Sequence, residues 1–171
     1  HYPLTSAKAN PKQVRYKLHD PLLRFWFRFI YPNGSAIYQM DQKSAFLNLI
    51  KPHLDAYYGS GYETLCREAL GRLYQSEELT CAYEIGEYWD KNIQIDIVGY
   101  RQDGVIDICE CKWGKISSMP QLLNELNTKI SSYPNKDNKT IHGRLFLRSR
   151  RKQSSNHSVR THFLSDIYRL D

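Results

Sequence analysis

No apolar run in this sequence approaches the ~20 residues that a membrane-spanning helix needs. The first residues, HYPLTSAKAN, have no apolar core behind a basic start and do not read as a secretory signal. Cysteine is sparse. Cys66, Cys81, Cys109 and Cys111 include no C-x-x-C pair and no dense framework, which excludes a small disulfide-stapled scaffold. Cys109 and Cys111 fall on the same side of a strand, but two thiols lack the other ligands of a zinc centre. The four read as buried thiols of a protein in the reducing cytoplasm. Also missing is any G-x-x-x-x-G-K-[ST] loop, so these residues are not expected to bind ATP by the P-loop route. There is no internal repeat, and the one compositionally biased stretch is the short basic-polar run 148–158.

What is present suits a folded chain. Of 171 residues, 41% are hydrophobic and 13% aromatic, enough for a sizeable core, and 25% charged is ordinary for a globule. The length fits one domain, or one domain with a small appendage. A formal charge of +6 favours a polyanionic partner, but only mildly. The chain opens on His1 rather than Met, as expected for a piece of something longer.

Val14, Tyr16 and Leu18 alternate with polar residues and predict a short strand. Asp20-Pro21 has the cap-and-proline signature of a helix start. Leu22, Leu23, Trp26, Phe29 and Ile30 give that helix a wide apolar face, and Pro32-Asn33-Gly34 is expected to end it. The run Phe25-Trp26-Phe27 could stack on bases, but its helical spacing points to packing in a core or against another domain. A second helical stretch covers about 35–58, kinked or split at Pro52. Gly59-Ser60-Gly61 then reads as a break, dividing the chain into an N-terminal helical segment, 1–58, and a second module, 59–171.

In the second module, 62–73 predicts a helix with Leu65, Ala69, Leu70 and Leu73 on one face. Strands are expected at 82–88, 93–101 and 105–113, joined as an antiparallel meander through Asp90-Lys91-Asn92 and Gln102-Asp103-Gly104. Ser117 and Ser118 can cap a helix entered through Pro120 and buried along Leu122, Leu123, Leu126 and Ile130. A polar loop at 131–140 precedes a fourth strand at 141–149. Residues 159–170 read as a fifth strand or a terminal hairpin partner. This order predicts an α/β fold: a mixed sheet flanked by helices, with an N-terminal helical segment.

The chemistry is concentrated in IQIDIVGYRQDGVIDICECKW. Asp96 lies inside an apolar strand. Glu110 and Lys112 lie on the next one and, two apart, share a face of the sheet. A tight meander can set Asp96 beside Glu110 on that face. Two carboxylates side by side in a half-buried sheet repel unless something positive lies between them. Mg²⁺ or Mn²⁺ suits such oxygen ligands, and could acidify a bound water and neutralise a phosphate oxygen. Lys112 could hold that water or offset the transition-state charge. Glu63, on the preceding helix, is a possible third carboxylate. The structural alternative is an ion pair of Lys112 with Asp96 or Glu110. Arg144, Arg148, Arg150, Arg151 and Lys152 form the densest basic cluster, either a phosphate track or a charged strand end that resists edge pairing.

The pattern D-x(13)-E-x-K on consecutive strands, after a helix bearing Glu, resembles the PD-(D/E)XK phosphodiesterase superfamily with its restriction-endonuclease-like fold. RYKLHDPLLRFWFRFIYPN, GYETLCREAL, EIGEYWD, IQIDIV and ECKW together resemble the C-terminal domain of archaeal-type AAA/STAND ATPases, a family of archaea and bacteria. The resemblance implies catalytic roles for Asp96, Glu110, Lys112 and Glu63, and metal ligation by Asp96 and Glu110. It implies a larger cytoplasmic protein with an ATP-binding domain and a winged helix ahead of this part. Nucleic acid, expected to be DNA, is the implied partner, and no membrane is. Gln94 departs from the Glu that the ATPase-linked family often has there, and the second helix carries Gln121 and Glu125 rather than Gln-x-x-x-Tyr. A Mg²⁺-dependent deoxyribonuclease-like domain is thus expected, or an inactive DNA- or protein-binding regulatory domain of the same ATPase.

Overall fold

The computed structural model describes residues 1–5, 12, 14–150 and 159–169. Strands β1 (Tyr83–Trp89), β2 (Gln94–Arg101), β3 (Val105–Lys112), β4 (Thr140–Leu147) and β5 (Val159–Phe163) form one sheet in that order. The first three make the expected antiparallel meander, and β4 and β5 continue it in parallel. Asp90 shapes the first turn by accepting the Asn92 and Ile93 amides at 2.6 and 2.9 Å. In the second turn Gly104 takes φ +87°, a conformation open to glycine at little cost. The parallel step from β3 to β4 needs a crossover, supplied by α5 (Met119–Ser132), which Ser118 caps and Pro120 enters. β5 is a parallel neighbour of β4, not its hairpin partner, and leads into α6 (Leu164–Ile167).

Helices cover both faces. On one, α4 (Leu54–Ser76) packs Cys66, Ala69 and Leu70 against Ile97, Cys109 and Phe146. On the other, Leu122 and Leu126 of α5 pack against Ile95, Val98, Ile108 and Leu145. Tyr74 of α4 donates to Asp107 of β3 at 2.5 Å. It crosses β2 so closely that a Cβ at position 99 would lie 2.1 Å from its hydroxyl oxygen, hence Gly99.

The N-terminal segment holds α1 (Pro21–Phe25), α2 (Gly34–Gln39) and α3 (Gln42–Ala45). α1 and α3 each open into a wide turn, Trp26–Ile30 and Phe46–Ile50, closed by the Tyr31 amide on the Trp26 carbonyl and the Lys51 amide on the Phe46 carbonyl. A tight turn carrying Pro32 or Pro52 follows each. Proline lacks an N–H and its ring displaces the carbonyl four residues back, so the turn ahead of it widens. Pro52 therefore splits the 35–58 helix, and Asp41 divides it again by accepting the Ser44 amide at 3.0 Å.

Two expectations for this segment are corrected. Residues 14–18 form no strand of the sheet; Arg15 exchanges backbone hydrogen bonds with His1 instead, at 2.8 and 3.0 Å. Gly59-Ser60-Gly61 is no break, because α4 runs through it and the 58/59 boundary falls inside a helix. Each glycine costs about 1 kcal/mol against alanine, which the six buried residues from Tyr62 to Tyr74 offset. Of the aromatic run, Phe25 packs on the buried Phe29, while Trp26 and Phe27, 48% and 54% exposed, face outward.

Candidate metal centre

β2 and β3 pair as far as Ile97–Cys109 and then part. One further step would set Asp96 opposite Glu110. On its other side β2 carries a bulge: Gly86 pairs with Val98 and Tyr88 with Ile95, so Asp96 and Ile97 together oppose Glu87. The extra residue reverses the in–out alternation, and Ile95 and Ile97 pack on opposite faces of the sheet. Asp96 stands at that reversal. Its Oδ2 accepts the Cys111 amide at 2.9 Å, a bond that the β2 backbone no longer provides. It is fixed in a fork between strands, not on the simple alternating face that the pattern suggested.

Glu110 points to the α5 side. Lys112 Nζ lies 2.7 Å from its Oε1, and Lys129 of α5 donates to its Oε2. Lys112 is also 3.8 Å from Glu125, which accepts from Gln121 at 3.2 Å. Burial, and after it the Glu110 charge, push the Asp96 carboxyl above the usual carboxylate range, against the Cys111 amide and both lysines. Glu63 is raised in the same direction by burial and then by Asp96. Burial disfavours the Lys112 ammonium, but Glu110 and Asp96 outweigh it and hold the proton more tightly than usual. Asp96 thus feels Glu110 on one side and Glu63 on the other.

The donors suit a hard divalent cation. Among the described residues no three His, Cys, Asp or Glu side chains gather as a ready cage; Asp96 and Glu110 are the two carboxylates that could share a cation here. Mg²⁺ is commonly held by one or two carboxylates and keeps several waters. The mutual repulsion that raises Asp96 is what such a cation relieves.

Two participants escaped the sequence reading. Lys129 looks like half of an ordinary surface pair with Glu125, four residues back, and nothing in the sequence points it at Glu110. Glu87 is 5% exposed and ion-paired with Lys17, at 2.5 Å, and with Arg67. It shares the phase of Ile85 along β1, and a Glu in phase with an inward residue was the available signal.

The basic cluster separates. Arg144 does not lie on a phosphate track: it is fully buried, with Nε 2.7 Å from Asp107 and two nitrogens 2.9 and 3.0 Å from Glu77. Strand alternation at the sheet centre turns it onto the α4 face. Arg148 is exposed and lies 4.2 Å from the Trp113 ring centroid. Arg150 is exposed but paired with Asp166. Arg151 and Lys152 lie outside the described residues. Among the described residues, no helix is long and apolar enough to cross a membrane.

Over 114 residues the chain is 30% identical to the uncharacterized protein MJECL04 of Methanocaldococcus jannaschii, a match covering 65% of this chain and 25% of that protein. The chain therefore spans about a quarter of the length of the curated relative it matches. No solved structure matches it. Residues 26–130, from the aromatic segment through α4 and the meander into α5, match the model of a family described as archaeal and bacterial proteins of unknown function (DUF234), and the chain belongs to that family.

Proposed function

We propose that this chain carries a Mg²⁺- or Mn²⁺-dependent phosphodiesterase site of the PD-(D/E)XK kind, acting on nucleic acid, DNA first among the candidates. The fork carries this reading: Asp96 and Glu110 on strands that part beside them, with Lys112 2.7 Å from Glu110. The order of helix, three antiparallel strands, crossover helix and parallel strand also suits a restriction-endonuclease-like fold.

Asp96 and Glu110 would hold the cation, which supplies an acidified water and neutralises phosphate charge. The Cys111 amide fixes the Asp96 carboxylate in orientation. Lys112 Nζ can hold the attacking water and offset the charge that builds on the phosphate oxygens. Glu63 binds its proton more tightly than an ordinary carboxyl and can deliver it to the departing oxygen. The exposed Leu22, Trp26 and Phe27 form an apolar face suited to contact with the ATPase part of a longer cytoplasmic protein.

One observation favours the alternative of an inactive DNA- or protein-binding regulatory domain. Both Glu110 oxygens already face ammonium groups, Lys112 and Lys129, which neutralise it without a metal. Mn²⁺ titration by calorimetry, combined with cleavage of plasmid and single-stranded DNA, separates the two. The phosphodiesterase binds Mn²⁺ and cuts, loses cutting in Lys112→Ala with most metal affinity intact, and loses both in Glu110→Gln. A protein that cuts neither DNA at any Mn²⁺ concentration is the regulatory domain.

A further inference from the structure

Three buried side-chain polar atoms among the described residues lack a hydrogen-bond partner: the Tyr62 hydroxyl, Arg67 Nε and Trp113 Nε1. All three residues line one cleft of about 630 Å³, bounded by α4, residues 17–24, the end of β3 and α6. That volume is within the usual range for a ligand site. Tyr62 is 3% exposed, and burial, followed by the neighbouring Cys66 thiol, holds its hydroxyl proton well above the ordinary range, so it remains a donor. Buried polar groups nearly always find partners. The Tyr62 hydroxyl lies against the Cys66 thiol, which leaves the Arg67 and Trp113 N–H groups to call for a ligand rich in acceptors.

The walls add charge and rings. Lys17 and Arg67 share the Glu87 carboxylate and also feel Glu63, so these four charges balance. Arg24, bonded to the Ser60 hydroxyl, supplies a positive charge in excess. Tyr58 and Tyr62 stand 5.6 and 5.8 Å from Trp113, and Arg148 covers that indole. Glu63 lines the same cleft and feels the Asp96 charge, so the cleft adjoins the fork.

Ring faces, free N–H donors and surplus cations are together the chemistry that receives an unstacked nucleotide: base on ring, base carbonyls on N–H, phosphate on cation. A base within a duplex is already stacked on both faces and cannot enter. A purely apolar ligand would leave the donors and cations unmet. We propose that this cleft takes the unstacked end of a single-stranded nucleic acid and presents it to the fork. The inference rests on the phosphodiesterase reading for the cleavage that binding leads to, and narrows its substrate to single strands and frayed ends.

The test is fluorescence anisotropy on the full chain in EDTA, where no cutting occurs. The probes are labelled oligothymidylate of about ten nucleotides and the matching duplex. Oligothymidylate should bind at least about tenfold more tightly than duplex, and Trp113→Ala and Tyr58→Ala should each weaken it about tenfold, as expected for one lost stacking partner. Trp113→Phe, which keeps a ring without the N–H, should fall between. Equal affinity for duplex, or alanine variants that fold and bind like the parent, overturns the proposal. If Trp113→Ala does not fold, Tyr58→Ala decides, since Tyr58 is 46% exposed. A parent that cuts duplex with Mn²⁺ but ignores oligothymidylate sinks the cleft and leaves the phosphodiesterase. One that binds oligothymidylate and never cuts does the reverse.

Discussion

Arg144→Met should cost this protein much of its stability and nothing in nucleic-acid affinity. The Arg144 and Asp107 side chains are both fully buried, joined at 2.7 Å, with Glu77 completing the guanidinium at 2.9 and 3.0 Å. Burial opposes the Arg144 charge, but Glu77 and Asp107 more than compensate and hold the guanidinium protonated even more firmly than usual. Methionine fills the volume and leaves Asp107 charged in the interior. Asp107 then keeps only the Tyr74 hydroxyl and Arg101, 3.6 Å away. Breaking a buried pair from one side costs about 3–5 kcal/mol. For a chain of this size each kcal/mol moves Tm by about 2–4 °C, so a fall of roughly 6–20 °C is expected. Urea unfolding followed by circular dichroism measures it. Adding Asp107→Asn should recover much of the loss, because the stranded charge goes while a partner for Tyr74 remains. A loss under about 1 kcal/mol, or normal stability with a shallower salt dependence of DNA binding, would refute the internal role and return Arg144 to the phosphates.

Lys129→Ala should tighten Mn²⁺ binding severalfold in calorimetry, because it removes an ammonium that competes for Glu110; weaker binding would mean that Lys129 supports the site. Asp96→Asn should raise Tm of the metal-free protein at pH 7 while abolishing Mn²⁺ binding. The folded state raises the Asp96 pKa, so its charge destabilises above that value, and asparagine can still accept the Cys111 amide. His162 stacks on Phe146, and burial, then Arg144, push its pKa down to about 4. Its contribution is complete above the unfolded value near 6.5 and is lost as pH falls toward 4, on the order of 2–3 kcal/mol in all. His162→Gln should flatten the fall in Tm between pH 6.5 and 5, and an unchanged slope would refute the assignment.

The meander and α5 were legible because alternation, turn residues and caps agree locally: Ile106 and Ile108 sit inward, Gly104 turns, Ser118 caps. α4 was cut short because two glycines look like punctuation, and only its packing against the sheet reveals a helix strong enough to carry them. The direction of β5 is a tertiary choice that its five residues do not encode. Asp96, Glu110 and Lys112 were visible as charges inside apolar strands. The bulge that aims Asp96 was not, since it exists only in the pairing of β1 with β2. Arg144 misled because a basic run reads alike inside and out, and its partners Asp107 and Glu77 lie 37 and 67 positions away.

α4 ties three distant pieces of chemistry to a single rod. Tyr58 serves the aromatic cleft, Glu63 and Arg67 the acids at the fork, and Tyr74 the buried guanidinium network. From Tyr58 to Tyr74 the rod rises about 24 Å. One residue inserted or deleted anywhere between them would swing everything beyond it through about 100°, carrying Glu63 out of the cleft or Tyr74 off the sheet. The spacing along this stretch is therefore frozen even where its side chains could drift.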